Sequence, residues 1–179
     1  LSEAISPCVL WIDEIEKAFS GIREGNEVTT RLFGNFLTWL QEKENSVFVV
    51  ATANDISKLP SEFLRKGRFD EIFFVDLPND EERKQILEIH LKKRKKWNLD
   101  IDIYSVVKKT KDYSGADLEF IIKETIETAF IENKNEICTD DLLQMVINTK
   151  PLSKSEGYKE SLEKYRKEIE NRNIRKANK

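Results

Sequence analysis

Residues 8 to 14 read CVLWIDE, an apolar run that ends on two adjacent carboxylates. An unbroken succession of apolar side chains, β-branched and aromatic among them, fits a strand covered on both faces, as in a parallel sheet. Open α/β sheets take their ligands outside the carboxyl ends of such strands. Asp13 and Glu14 are thereby placed at the rim of a crevice, where acids serve metal and water chemistry. Taken alone, the pair also suits the start of a following helix, whose dipole favours acids.

Outward from this strand the pattern repeats. RLFGNFLTWLQE (31–42) carries Leu32, Phe33, Phe36, Leu37 and Leu40 at helical spacing. NSVFVVATAND (45–55) is a second buried strand, again ending on polar residues, Asn54 and Asp55. EIFFVDLP (71–78) supplies a short third run that stops at Pro78. Beyond it the periodicity is helical. NDEERKQILEIHL (79–91) opens on a cap residue and first-turn acids. YSGADLEFIIKETIETAF (113–130) pairs Ser114 with Asp117 in a capping box, and Thr139 is read as the cap of a further helix. The spacing predicts an α/β piece over residues 1–78, an all-helical unit over 79–152 and a charged, helical, exposed tail over 153–179.

The chain has 179 residues, 39% of them hydrophobic, enough for one ordinary domain or one domain with a satellite. Its apolar runs are too short to span a membrane, and no charged segment precedes an apolar one at the start, so the expected location is cytoplasmic. Cys8 and Cys138 have no metal-ligand spacing and read as reduced structural thiols. Residues 153–179 hold nine Lys/Arg against five Asp/Glu, which leaves 21 against 28 for residues 1–152. An acidic body argues against nucleic acid as the main ligand. The basic run KKRKK (92–96) falls at a helix C-terminus, where cations offset the dipole, and reads as a solvated face.

Asn54 can donate and accept, which suits it to orienting a water against a phosphate beside Asp13 and Glu14. FLRKGRFDE (63–71) sets Arg65 and Arg68 three apart in a turn, and guanidinium groups match phosphate oxygens best. CVLWIDE, VFVVATAND, FLRKGRFDE and YSGAD, in this order and at these separations, resemble the AAA branch of the AAA+ ATPases over about residues 5–150. Within that branch, SPCVLWIDEIEKAF, TRLFGNFLTWLQEK and the PLS opening of the tail are most similar to a group of cyanobacterial and plastid reading frames.

The resemblance implies an α/β fold, part of a P-loop NTPase-type parallel sheet with helices, followed by a small all-helical lid domain. It implies ATP and Mg²⁺ as cofactors, and hydrolysis of ATP coupled to remodelling of a macromolecule, expected to be a protein. Asp13 of its Walker B motif would hold Mg²⁺ and Glu14 would polarise the attacking water, with Asn54 as sensor 1. Arg65 and Arg68 would be arginine fingers acting on a neighbouring subunit's nucleotide, which implies a homo-oligomer, a hexameric ring. His90, Gly115 and Ala116 would lie against the ribose and adenine, and residues 20–30 would be the second pore loop. A plastid source would place the protein in the stroma.

Each residue has a plainer reading beside this one. Asn54 suits a turn, the two arginines a solvated basic face, His90 a packed helix face, and Gly115 with Ala116 a close approach of two helices. One departure stands out, because GxxxxGK[ST] occurs nowhere in the chain. The chain is therefore expected to be the C-terminal part of a longer ATPase and to bind ATP poorly alone. The rival expectation is a truncated, non-catalytic module that assembles with full-length subunits.

Overall fold

The computed structural model describes residues 2–19, 22, 25–65, 67–96, 98, 100–172 and 174–178, the side chain of Arg172 excepted. Contacts divide the chain into two units, Leu1–Ile72 and Phe73–Lys179. The division falls six residues before Pro78, where the character of the sequence changes.

In the first unit, strand β1 (Cys8–Ile12) leads through a single-turn helix α1 (Ile15–Ala18) and the longer α2 (Glu27–Glu42) to strand β2 (Val47–Ala51). The strands pair in parallel from Cys8↔Val47 to Ile12↔Ala51, as a crossover through a helix requires. Asn26 caps α2, its side chain accepting from the Val28 and Thr29 N–H groups. One face of α2 sends Phe33, Leu37 and Leu40 into a core completed by Ile15 and Phe63. Phe63 lies in a 3₁₀ turn (Ser61–Leu64), 1% exposed. Its ring centroid is 5.1 Å from that of Phe33, 5.5 Å from Phe19 and 6.1 Å from Phe69. That aromatic cluster anchors the segment bearing Arg65 and Arg68.

The two strands are not covered on both faces as their apolar run predicts. Val9, Trp11 and Phe48 are 65–69% exposed, while their alternating neighbours turn toward α2. Among the described residues the core cluster lies on one side of the pair, so side chains of period two divide between it and solvent.

The second unit begins with β3, which keeps only Phe73–Phe74 of the third apolar run. It pairs in parallel with β4 (Arg175–Lys176), from the far end of the chain. Between them lie α3 (Asp80–Lys93), α4 (Ile103–Lys109), α5 (Gly115–Ile131), α6 (Thr139–Asn148) and α7 (Glu156–Arg172). Capping boxes start α3 at Asn79, read from the sequence as a cap residue, and α5 at Ser114, read as a capping box. The α6 cap is Cys138 rather than Thr139. The Thr139 hydroxyl instead accepts the Asp102 N–H (2.8 Å) and ties α6 to the start of α4. Leu87, Val106, Leu118, Ile121, Ile122 and Leu142 are fully buried at the centre of the helices. The tail forms α7 and is held against its own unit. Ile169 is buried, and Arg166 of α7 forks onto Asp76 just after β3.

Candidate active site

The adjacent ends of β1 and β2 bring Asp13, Glu14 and Asn54 together. The ladder runs one step past the strands, with Thr52 N–H donating to Ile12 O and Ile15 N–H to Thr52 O, both at 2.9 Å. Glu14 then turns left-handed, φ 50° and ψ 53°, to start α1. That conformation is disfavoured for glutamate by roughly 1–2 kcal/mol, and bonds on either side hold it in place. Its N–H donates to Thr52 Oγ1 (3.0 Å) and its carbonyl accepts the Lys17 N–H (2.8 Å).

Each carboxylate has defined partners. Asp13 Oδ1 accepts the Thr52 hydroxyl at 2.5 Å, and among the described residues no hydrogen bond falls on its Oδ2. Glu14 Oε1 accepts from Asn54 Nδ2 at 2.7 Å, and its Oε2 pairs with Lys17. Glu16, only 5% exposed, accepts the Asn54 main-chain N–H on Oε1 (3.0 Å), while its Oε2 has no partner. The side chain of Asn54 thus reaches one acid and its backbone another, and a free turn residue would do neither.

Arg65 and Arg68 are not brought onto these acids. Arg65 is exposed just after the 3₁₀ turn, and Arg68 donates to the Glu62 carbonyl of its own segment. Gly67 between them takes φ 91°, the left-handed turn for which glycine is suited. Lys66 lies outside the described residues, as do residues 20, 21, 23 and 24 of the 20–30 loop.

In the helical unit α3 and α5 meet in two successive turns. Ile86 faces Gly115, and four residues on His90 faces Glu119, its Nδ1 3.4 Å from Glu119 Oε1. Arg94 bridges that rung, Nη1 lying 3.1 Å from His90 Nδ1 and Nη2 donating to Glu119 Oε1 at 2.7 Å. This bond holds the Glu119 carboxyl below its ordinary range. A Cβ added to Gly115 would meet only Ile86 Cδ1, at an ordinary 3.9 Å. Close helix packing therefore does not explain the glycine. Ala116, next on α5, is exposed.

Sequence reasoning missed Thr52, Glu16 and Lys17. Thr52 reads as one more β-branched strand residue, and its side-chain partners lie 38 and 39 residues away. Glu16 carried a signal that could have found it, as an acid on the apolar side of a one-turn helix beside Ile15.

Residues 1–77 match the family model of the ATPase family associated with various cellular activities (AAA), and residues 100–144 match the AAA+ lid domain. The chain is 51% identical over 157 residues to an uncharacterized AAA domain-containing protein, ycf46, of Pyropia yezoensis, covering 86% of this chain and 32% of that protein. It is 42% identical over 161 residues to the protein of the same name from Trieres chinensis, covering 88% and 32%. With the ATP-dependent zinc metalloprotease FtsH of Thermus thermophilus it shares 34% identity over 143 residues, covering 76% and 23%. The chain spans about a third of the length of the first of these curated relatives. No helix among the described residues is long and apolar enough to cross a membrane. With the AAA model and the AAA+ lid model matched one after the other along it, the chain belongs to the AAA+ ATPase family.

Proposed function

We propose that this chain supplies the second half of an ATPase module, one that binds ATP and hydrolyses it to ADP and phosphate with Mg²⁺. The observation that carries the reading is the Asn54–Glu14 hydrogen bond, made beside an Asp13 carboxylate with one oxygen open. The donor set fits the metal. No cluster of three or more His, Cys, Asp or Glu ligands is present among the described residues. A lone carboxylate suits Mg²⁺, which keeps several waters and takes its other ligands from phosphates. Held by Asp13, Mg²⁺ would neutralise charge on the phosphate oxygens.

The chain's own groups do the rest. Glu14 orients a water and takes its proton as the water oxygen bonds to the γ-phosphorus and the bridging P–O bond breaks. Asn54 keeps Glu14 aimed. His90, Gly115 and Ala116 form the ribose and adenine wall, with no side chain at Gly115 to obstruct the base. Arg65 and Arg68, engaged with no acid of this site, serve the nucleotide of a neighbouring subunit in a homo-oligomeric, hexameric ring. Hydrolysis drives remodelling of a protein, in the stroma where the source is a plastid.

The test is Glu14→Gln in the full-length protein. Turnover is expected to fall about 10²–10⁴-fold with ATP affinity retained. Unaltered turnover would remove Glu14 from this role, and a wild-type protein that binds no ATP would leave the chain as a non-catalytic assembly module.

A further inference from the structure

Thr52 makes four hydrogen bonds to four consecutive residues. Its N–H donates to Ile12 O and its carbonyl accepts the Ile15 N–H. Its hydroxyl oxygen accepts the Glu14 N–H at 3.0 Å, and the hydroxyl proton goes to Asp13 Oδ1 at 2.5 Å. A hydroxyl has one proton, so the two side-chain bonds fix each other's direction. The β-branch fixes the rotamer as well. No other described side chain touches both Asp13 and Glu14 in this way.

Two consequences follow from that double contact. Where Glu14 turns left-handed, Thr52 O takes the Ile15 N–H, and Thr52 Oγ1 is the acceptor for the Glu14 amide. The Asp13 carboxylate is held by Oδ1, so its rotation is fixed and Oδ2 is the oxygen left for a ligand.

We propose that Thr52 is a positioning residue that holds the turn at Glu14 and presents Asp13 by one fixed oxygen. Its effect on catalysis rests on the ATPase reading above; its effect on the turn does not. A residue that merely stabilised the strand end would lower the melting temperature when replaced, without touching Mg²⁺ dependence. Thr52→Val keeps the shape and removes both side-chain bonds. Thr52→Ser keeps both bonds.

The experiment compares these variants with the wild type in the full-length protein, by three readouts. Amide hydrogen exchange at Glu14 should quicken about tenfold in Thr52→Val, as loss of one hydrogen bond implies, with exchange in the middle of β1 unchanged. The Mg²⁺ concentration needed for half-maximal binding of a fluorescent ATP analogue should rise several-fold, with binding in EDTA unaffected. Turnover should drop about 10–100-fold through misplacement of the acids. Thr52→Ser should restore all three. Should Thr52→Val fail to fold, Thr52→Ala removes the same bonds at this half-buried position with no bulk added. Wild-type exchange at Glu14 in the variant overturns the proposal outright. Quickened exchange with unchanged Mg²⁺ dependence and turnover overturns its catalytic half. If the wild type neither binds nor hydrolyses ATP, the ATPase reading fails and the catalytic half with it, while the exchange comparison still decides the role at the turn.

Discussion

Replacing Arg166 with alanine should release the C-terminal segment from the unit it closes. Arg166 Nε lies 3.2 Å from Asp76 Oδ1 and 3.0 Å from Oδ2, and Nη2 donates to Oδ1 at 2.6 Å. The Asp76 side chain is 12% exposed and that of Arg166 40%. Exposed pairs contribute about 0–1 kcal/mol, whereas breaking a buried pair costs about 3–5 kcal/mol. With one end largely out of water, the loss should be about 2 kcal/mol. Asp76 would keep the Leu77 N–H at 2.8 Å and Lys176 at 3.5 Å, which limits the damage. Urea unfolding of the variant measures the loss. Trypsin supplies a local readout, because exposed Lys154 and Lys159 should be cut faster once α7 frays.

Acid should erase the difference. Burial works to raise the Asp76 pKa, but the Arg166 and Leu77 hydrogen bonds and the charges of Arg166 and Lys176 outweigh it. The carboxyl therefore titrates below its ordinary 3.8. A depressed pKa contributes stability above the unfolded value and loses it as pH falls through the folded one. The gap between wild type and Arg166→Ala should be full at pH 6 and shrink steadily below about pH 4. A double-mutant cycle with Asp76→Asn completes the test. Strict additivity, or a gap that persists unchanged in acid, would refute the pair as the fastening and leave that role to burial of Ile169 and the other contacts of the segment.

Leu87→Ala, at a fully buried position of the helical core, should cost about 2–5 kcal/mol in denaturant unfolding. Ser114→Ala removes the acceptor for the Asp117 N–H and should cost about 1 kcal/mol, with exchange quickened in the first turn of α5. A guanidinium only donates, so the Arg94 contact favours His90 Nδ1 as an acceptor with the proton on Nε2, against the Glu119 carboxylate 3.4 Å from Nδ1, which favours a proton there. His90 is the one histidine of this chain, so in this segment a single set of ¹⁵N signals reports the tautomer; Arg94→Ala should mix the two forms.

What was legible in the sequence was local. An apolar run ending on acids, a second ending on Asn54, and Ser114 placed three before Asp117 each announce a structure through neighbours a few residues apart. Strand register then brings Asp13, Glu14 and Asn54 together without further instruction. The rest depends on separation in the chain. Asp76 and Arg166 are 90 residues apart, and a mixed-charge helix carries no sign of which carboxylate one of its arginines will find. Thr52 was overlooked for the same reason, since strand propensity explains its type while its side-chain contacts lie 38 and 39 residues away; Glu16 had its place beside Ile15 as a local sign, but its partner also lies 38 residues away. The uncovered strand face has another cause. Apolar composition records that Val9, Trp11 and Phe48 suit burial, but not which atoms cover them.

On the proposed reading Glu14 must exchange a partner for water, and the structure ranks its two oxygens. Oε2 pairs with Lys17, whose side chain is 70% exposed, and such a pair contributes little once solvent competes. Oε1 is held by Asn54, whose own N–H is fastened to the buried Glu16 carboxylate. The backbone bond to Glu16 fixes where the Asn54 side chain starts, so Oε1 is held at 2.7 Å by a donor whose residue is itself anchored. On that reading water is expected at Oε2, in place of the exposed Lys17, while Oε1 keeps its bond from Asn54. Glu16 thus acts at one remove. Its buried side chain anchors the Asn54 backbone, Asn54 holds one oxygen of Glu14, and the other oxygen pairs with an exposed lysine.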